Sequence, residues 1–213
     1  MPFEIRTFPT GQLQANCFLL IDKATNNAAL VDPGDRSEKI QNMISIQDIN
    51  VTHILITHAH FDHMFGCGFF KSLYPSAKLL VHQNDVPIWA GNVKFAQMFG
   101  IKAPKDYINQ PEGTFKDGEV IQIGQSQVEV VLTPGHTPGS VCFIDKEGKI
   151  AVTGDTLFGQ GIGRTDFPGG SAEQMRDSIV KLKKILGTDY VIYPGHGGSE
   201  KSGRAIKGAE MMI

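Results

Sequence analysis

The sequence has little of what marks secreted, membrane-bound or nucleic-acid-binding proteins. Its three cysteines are an odd number without CxxC spacing, which argues against a disulfide scaffold. It contains no run of about 18 apolar residues, and charges at Glu4 and Arg6 argue against an export signal. A net charge of -2 leaves no basic stripe for nucleic acid. We therefore expect a cytoplasmic protein that acts on a small molecule and binds neither nucleic acid nor membrane.

A GxSxG segment that would present a nucleophilic serine is also missing. Histidine is placed unusually instead, because five of the seven histidines fall in three short segments that each follow an apolar run. These segments are Thr57–His63, Pro134–Gly139 and Pro194–Gly197. A fourth apolar run, at 150–152, leads into Asp155. Four strand-like runs thus each deliver an imidazole or a carboxylate where the strand stops.

A lone histidine beside an apolar run is usually an ordinary core or surface residue, but the first segment is dense. His58, His60, Asp62 and His63 lie within six residues. Placing so many titratable groups in an apolar neighbourhood is costly unless a cation compensates them. Imidazole and carboxylate are common ligands of zinc and similar cations. The combination predicts a metal site.

The spacing further suggests two metal ions. Side chains two apart on extended backbone share a side, so His58 and His60 can converge on one ion while Asp62 and His63 face another. His136 and His196 would each complete a set of three, and a carboxylate such as that of Asp155 can bridge the two sets. Such sets leave positions open for water, which is typical of catalytic sites, since structural zinc sites are usually closed by four protein ligands.

These segments together resemble the metallo-β-lactamase superfamily. The HxHxDH segment at 58–63, the GHTPG segment around His136, the GD at Asp155 and the GH at His196 follow the family's order over nearly the whole chain. The resemblance implies one metal held by His58, His60 and His136, a second by Asp62, His63 and His196, and Asp155 between them. It also implies that Asp32 lies behind the ligands and orients a metal-binding histidine, as ligating imidazoles usually require.

Alternating apolar strands and amphipathic helices predict an α/β (α+β) fold with two face-to-face sheets and helices outside, the four-layer αββα sandwich of that superfamily. We expect one domain over 1–213 with two halves, roughly 1–115 and 116–213. The predicted strands include 3–8, 17–21, 28–32 and 51–57. Helices are predicted at 37–48, from Asp62 or His63 to Leu73, and at 172–186, the last capped by Ser171 and stopped by Gly187.

Details within the family favour a glyoxalase II-like hydrolase. Asp155 stands where zinc β-lactamases have a cysteine, and His60 where flavodiiron proteins have a glutamate. The segment Gly161–Phe167 resembles short bacterial hydroxyacylglutathione hydrolases. The implied reaction is hydrolysis of a thioester or related ester, with Asp62, His63 and Asp155 as catalytic residues. Two divalent ions would lower the pKa of water so that hydroxide is available. Zinc is the first choice, with iron or a zinc and iron mixture as alternatives.

Several alternatives stay open at this stage. Only residues 197–213 follow His196, whereas full-length glyoxalase II enzymes continue into a helical domain, so glutathione recognition is open. Gly163–Phe167 also resembles the persulfide dioxygenases, which use one iron with ligands corresponding to His58, His136 and Asp155. A non-catalytic, metal-stabilised domain is a third possibility.

Substrate contacts are harder to predict than metal ligands. Segments 84–115 and 158–170 are either ordinary packing or walls of the site. Arg164 is either a clamp for a substrate carboxylate or an ion-pair partner of an acid such as Asp166. Phe167, beside it, is a second candidate substrate contact. The sequence does not indicate the oligomeric state.

Overall fold

The structure is a computed structural model that describes residues 2–213. Its first sheet contains, in spatial order, β1 (Glu4–Thr10), β2 (Ala15–Ile21), β3 (Asn27–Val31), β4 (Asn50–Leu55), β5 (Lys78–His82) and β6 (Gly113–Phe115). The second contains β14 (Glu200–Lys201), β13 (Val191–Pro194), β10 (Ile150–Gly154), β9 (Val141–Asp145), β8 (Ser126–Leu132) and β7 (Val120–Ile123). A short ribbon pairs β11 (Leu157–Phe158) with β12 (Gly161–Ile162).

Six α-helices accompany the sheets within residues 2–213. They are α1 (Glu38–Ile46), α2 (Phe61–Met64), α3 (Cys67–Leu73), α4 (Val86–Gln97), α5 (Ala172–Leu186) and α6 (Ser202–Glu210). No helix among these residues is both long and apolar enough to span a bilayer.

Three apolar clusters separate four layers. In β2, Cys17 and Leu19 face the cluster under α1 and α4, whereas Phe18 and Leu20 face the cluster between the sheets. Such alternation follows from the two-residue period of a strand, and a strand covered on both faces is apolar throughout. A third cluster packs the outer face of the second sheet against α5 and α6. The predicted four-layer αββα sandwich is confirmed.

The ends of α5 are those that the sequence predicts. The Ser171 side chain accepts a hydrogen bond from the Gln174 backbone N–H, and Gly187 follows the last helical residue with a φ of 56°. The buried face of α5 carries Met175, Ile179, Leu182 and Leu186. This stripe at helical spacing joins α5 to the second sheet.

The predicted helix from Asp62 or His63 to Leu73 is in fact two helices, and the single-helix prediction was wrong. The Gly66 backbone N–H donates to Pro33 O at 2.8 Å, outside the helical ladder. A Cβ at Gly66 would lie 2.5 Å from Asp35 O and 2.6 Å from Pro33 O. A contact with a segment distant in sequence therefore interrupts the helix at this point.

Strand directions bring the four predicted site segments to one edge. β3 and β4 are parallel, so Asp32 and the segment 57–63 leave the first sheet at the same edge. β10 and β13 are parallel, and β8 runs in the same direction because both it and β10 are antiparallel to β9. The segments that follow β8, β10 and β13 therefore leave the second sheet together. The chain leaves the first sheet at Phe115 and enters the second at Val120. That residues 1–213 form one domain stays a prediction.

Candidate metal centre

The structure brings all seven predicted ligands together in one cluster at this edge. His58, His60 and His136 form one group whose ligand atoms all lie within 4.8 Å of one another, and all three are buried. The Nδ1 of His60 is 2.9 Å from Nε2 of His136. Residues 57–63 supply two of these imidazoles, and the turn after β8 supplies the third.

Asp62, His63 and His196 form a second group of the same kind. The Asp62 Oδ2 atom lies 3.3 Å from His196 Nε2 and 3.6 Å from His63 Nε2. A tetrahedral zinc ion with bonds of about 2.0–2.1 Å places neighbouring ligand atoms about 3.3–3.4 Å apart. The observed separations therefore fit a single small cation.

Asp155 lies between the two groups. Its Oδ1 is 3.6 Å from His63 Nε2, in the second group. Its Oδ2 is 3.6 Å from His136 Nε2, in the first group, and 3.7 Å from His196 Nε2. One carboxylate thus has an oxygen within reach of each group, which is the arrangement that a bridging ligand requires.

The hydrogen bonds behind the imidazoles determine which ring nitrogen carries a free lone pair. His136 Nδ1 donates to the Arg164 carbonyl oxygen at 2.7 Å, because a carbonyl can only accept. His63 Nδ1 donates to Asp32 Oδ2 at 3.0 Å. In both rings the neutral tautomer leaves Nε2 unprotonated and directed toward Asp155.

His58 is oriented in a similar way. The Thr57 hydroxyl donates its proton to Asp32 Oδ2 at 2.6 Å, so Thr57 Oγ1 can only accept in its 3.1 Å contact with His58 Nδ1. The lone pair of His58 is then on Nε2. Asp32 therefore lies behind two imidazoles, touching His63 directly and His58 through Thr57, which agrees with its predicted position.

Several atoms of the cluster are buried without a hydrogen-bond partner, among them His58 Nε2, His63 Nε2 and Asp155 Oδ1. A buried acceptor that bonds nothing is costly, by about 1–3 kcal/mol. The lack of hydrogen bonds at these three atoms is explained if each of them is a ligand of a cation. The residues present therefore fit a metal centre.

Asp32, His58 and His63 also lie close enough to form a ligand group, but Asp32 is already occupied. Its Oδ1 accepts from the Thr57 backbone N–H at 2.7 Å, and its Oδ2 accepts from Thr57 Oγ1 and His63 Nδ1. These bonds are the ones that orient the imidazoles. Asp32 therefore fits a supporting position better than a ligand position.

Electrostatics separate the two halves of the cluster. Burial lowers the pKa of His60 to about 3, with the neighbouring His136 acting in the same direction. Burial also lowers the pKa of His63, but Asp62 and Asp155, together with Asp32, outweigh it and raise the pKa to about 10. The site thus keeps His60 in the neutral form that binds metals. Around His63 the carboxylates favour a positive charge, which is either a proton on its ring or a cation that takes the place of that proton on Nε2.

Gly195 lets the loop after β13 approach the cluster closely. A Cβ there would lie 2.1 Å from Asp155 Oδ1 and 2.7 Å from the His63 ring. The same loop is fixed from the first sheet by Asn16, whose side chain donates to Pro194 O at 2.9 Å and Gly197 O at 2.8 Å. Sequence reasoning missed Asn16, although a polar residue inside the apolar run of β2 was a usable signal.

Asp85 is the second residue that sequence reasoning missed. Its buried carboxylate accepts from the Ala59 backbone N–H at 2.7 Å, from Thr137 Oγ1 at 2.8 Å and from the Gly139 N–H at 2.6 Å. One side chain therefore ties the loop of His58 and His60 to the loop of His136. Nothing in the sequence near Asp85 indicates these long-range partners.

Aromatic side chains form the wall of the centre. The His60 ring stacks on Phe95 at 5.2 Å, and Phe167 contacts both rings edge-on. The segment 84–115 is therefore both core and wall, since Trp89 is completely buried while Phe95 and Phe99 line the cavity over the metal ligands.

Arg164 also lines that cavity. Its guanidinium bonds both Asp166 carboxylate oxygens at 2.7 Å and lies 3.8 Å from the Phe167 ring centroid. The ion pair considered from the sequence is therefore present. Contact of Arg164 or Phe167 with a substrate stays a prediction.

This protein has two packed sheets that hold imidazoles and carboxylates in two groups at one edge. This combination is typical of the αββα metallohydrolases. A family model described as the metallo-beta-lactamase superfamily matches residues 10–196, and the chain belongs to this superfamily. The chain is 36% identical over 205 residues to hydroxyacylglutathione hydrolase GloC of Haemophilus influenzae. The aligned region covers 91% of this chain and 91% of GloC.

Two other proteins are similar over most of their length. The probable metallo-hydrolase YqgX of Bacillus subtilis is 32% identical over 198 residues, covering 90% of this chain and 89% of YqgX. Among solved structures, TTHA1623 in a di-iron-bound form superposes with a TM-score of 0.86 at 29% identity, covering 97% of this chain and 99% of that chain.

Proposed function

We propose that this protein is a dinuclear metal-dependent hydrolase that cleaves a thioester or a related ester. The observation that carries the proposal is the pair of three-residue ligand groups with Asp155 between them and with unpaired ligand atoms directed inward. Such an arrangement leaves coordination positions for water and substrate, which a purely structural site does not need.

In this proposal His58, His60 and His136 hold one ion, and Asp62, His63 and His196 hold the other. Asp155, with one oxygen near each group, would be a ligand of both ions. When bound, a pair of divalent ions supplies a water of lowered pKa and polarises the substrate carbonyl. Zinc fits a set of imidazoles and carboxylates at these separations, and the di-iron form of the similar TTHA1623 supports iron as the alternative.

The chain's own residues orient and enclose this chemistry. Asp32 and the Arg164 carbonyl hold His63 and His136 in the tautomers whose lone pairs face the cluster. Asp62, His63 and Asp155 are the proposed catalytic residues, and the carboxylates of Asp62 and Asp155 lie 3.3 Å and 3.7 Å from His196 Nε2. Phe95, Phe99 and Phe167 shield one side, which strengthens electrostatic interactions within the site by excluding water.

The similarity to a hydroxyacylglutathione hydrolase supports a thioester as the substrate class. The composition of the sequence supports a small-molecule substrate and a cytoplasmic location, since net charge and apolar runs point to neither nucleic acid nor membrane.

The second candidate is a mononuclear iron persulfide dioxygenase, favoured by the Gly163–Phe167 segment. This segment contributes Gly163, Arg164 and Phe167 to the wall of the site, so the resemblance falls on residues near the chemistry. The two candidates differ in their metal requirement. A dioxygenase needs one redox-active iron and consumes oxygen, whereas a hydrolase is active with zinc alone.

The test combines metal content with turnover. Protein purified without chelators or affinity nickel, from cells supplied with iron and zinc, should contain about two metal ions per chain. It should hydrolyse members of a thioester panel without consuming oxygen. Asp155→Ala should lower both metal content and turnover, whereas Asp177→Ala, at an exposed position on α5, should change neither. One iron per chain with oxygen uptake on a persulfide would support the second candidate instead.

A further inference from the structure

A second cavity of about 490 Å³ opens directly beside the candidate metal centre. His60 and Phe95 line both this cavity and the cavity of about 340 Å³ over the metal ligands. Volumes of this size are typical of small-molecule sites. A substrate whose reacting bond lies at the cluster can therefore extend past His60 and Phe95 into the second cavity, which we name the side cavity.

One face of helix α4 forms a wall of the side cavity. Ile88, Gly91 and Phe95 line the cavity at helical spacing, together with Pro87. The adjacent face of α4 carries Trp89, Asn92 and Ala96, which are completely buried. Ile88 and Phe95 pack against the core with part of their surface and line the cavity with the rest, so an apolar surface of α4 stays accessible from the cavity.

The facing wall is also without charge. It consists of Pro138, Pro168 and Gly169, and the polar side chains among all lining residues are those of Asn84 and His60. Asn84 Nδ2 already donates to Pro138 O at 3.4 Å, and His60 Nδ1 contacts His136. A charged or strongly polar group in this cavity would lose water and find at most the Asn84 amide as a partner, whereas a hydrocarbon chain would gain from burial.

We propose that the side cavity binds the hydrocarbon chain of the substrate's acyl group, so that the enzyme prefers medium-length aliphatic acyl thioesters. This inference rests on the proposed hydrolase function. The acyl part is assigned rather than the thiol part because biological thiol carriers are peptide-like or phosphorylated, and the lining offers their several amides and charges only the Asn84 side chain. The acyl chain is the portion of a thioester that can be purely apolar.

Gly91 offers a way to fill the cavity without disturbing the fold. A Cβ at Gly91 meets no atom within 4 Å, and Gly91 lies inside α4, where a side-chain-bearing residue is favoured over glycine. Gly91→Leu should therefore occupy the cavity. Ala90→Leu adds the same side chain to an exposed neighbouring position that does not line the cavity, and it serves as the matched control.

The experiment measures kcat/KM of the metal-loaded enzyme on acetyl, butyryl, hexanoyl and octanoyl thioesters of one small neutral thiol, N-acetylcysteamine. Each buried methylene is worth roughly three- to fourfold, so burial of the four methylenes that hexanoyl adds to acetyl should raise kcat/KM by about 80- to 250-fold. Gly91→Leu should remove this rise, while Ala90→Leu should keep the chain-length dependence of the wild type. Binding of octanoate and acetate, measured by calorimetry, gives a readout without turnover.

The outcomes separate the two proposals. Turnover that does not depend on chain length, or a chain-length dependence that survives Gly91→Leu, overturns the acyl assignment and leaves the hydrolase proposal standing. If no thioester is turned over, the hydrolase proposal fails. Octanoate binding then shows whether the side cavity binds a hydrocarbon chain. Octanoate binding that is tighter than acetate binding and is lost only in Gly91→Leu then supports a hydrocarbon site, and equal binding by all three proteins overturns it.

Discussion

The Asp32 carboxylate accepts a hydrogen bond from His63 Nδ1 at 3.0 Å, and both side chains are completely buried. This contact leaves His63 Nε2 as the lone-pair nitrogen, directed toward Asp62 and Asp155. The same carboxylate accepts from the Thr57 N–H and hydroxyl. Asp32 thereby sets the positions of two imidazoles of the cluster at once, without facing the ions that the cluster would hold.

Asp32→Asn should weaken metal binding by about 10- to 100-fold. All three groups around Asp32 are donors, so an amide must direct its own NH₂ group at one of them whichever way it turns. Metal affinity is measured by competition with a chelator of known strength. Asp48→Asn is a suitable control, because Asp48 is exposed and shares the φ of 51° found at Asp32. Unchanged affinity in Asp32→Asn would contradict the orienting role.

Asp85→Ala should destabilise the protein and slow turnover together. The Ala59 and Gly139 N–H groups and the Thr137 hydroxyl would lose their buried acceptor, at about 1–3 kcal/mol for each group that stays unpaired. We expect the free energy of unfolding to fall by about 3 kcal/mol or more. We also expect kcat to fall by about tenfold or more, because the two ligand loops lose their common anchor.

The control for Asp85 is Asp189→Ala, which removes an exposed carboxylate paired with Lys149 and should leave the unfolding free energy almost unchanged. Urea unfolding and steady-state kinetics supply the two readouts. Asp85→Asn retains one acceptor oxygen and should recover part of both losses. A variant that loses stability but keeps the wild-type kcat would show that Asp85 supports the fold without positioning the ligand loops.

The clustering of the candidate metal ligands could be predicted from the sequence because their signal is local. Each ligand follows an apolar run, and parallel strands bring such positions to a common edge, as β3 with β4 and β10 with β13 do here. The cap of α5 is equally local, since Ser171 and Gln174 are three residues apart. The resemblance to a known superfamily supplied the pairing of ligands, which spacing left open.

The residues that support the ligands could not be predicted, because their partners are distant in sequence. Asp85 bonds Ala59 and Gly139, and Asn16 bonds the loop after β13. The break at Gly66 has the same origin, since Pro33 competes for its N–H. The intrinsic propensity of a segment depends on its own residues and contains no information about hydrogen bonds from segments distant in sequence. Supporting contacts therefore become visible only in the folded chain.

Arg164→Ala should raise the KM for a thioester that carries a carboxylate on its thiol part by about tenfold, with little change in kcat. The ion pair of Arg164 with Asp166 is more than half exposed on both sides and hence weak, so a substrate carboxylate can compete for the guanidinium. S-acyl glutathione and S-acyl N-acetylcysteamine with the same acyl group give the charged and neutral substrates.

Asp166→Ala tests the same idea from the opposite side. It removes the competing carboxylate and should lower the KM for the glutathione thioester, while the neutral thioester should respond to neither variant. If both variants leave both KM values unchanged, Arg164 is a structural residue that packs on Phe167.

The final prediction concerns Asp22, which joins the two sheets at the end opposite to the β3 and β4 ligand loops. Asp22 follows β2, and its carboxylate accepts from Thr25 Oγ1 in its own turn and from Gln125 N and Ser126 Oγ in the turn between β7 and β8. Burial raises the pKa of Asp22, but these hydrogen bonds outweigh it and lower the pKa to about 2. The unfolded chain has a pKa of about 3.9 at this residue, so ionised Asp22 stabilises the fold.

The sign of this linkage determines the pH dependence. Because the folded pKa is the lower one, the stabilisation is fully present above the unfolded value and is lost as the pH falls through the folded value. Asp22→Asn should therefore lower the free energy of unfolding by about 2 kcal/mol at pH 7, and the difference from the wild type should shrink below about pH 4. Urea titrations of both proteins from pH 7 to 3 measure the difference. A difference that stays constant over this range would mean that the Asp22 contacts stabilise the fold without depending on its charge.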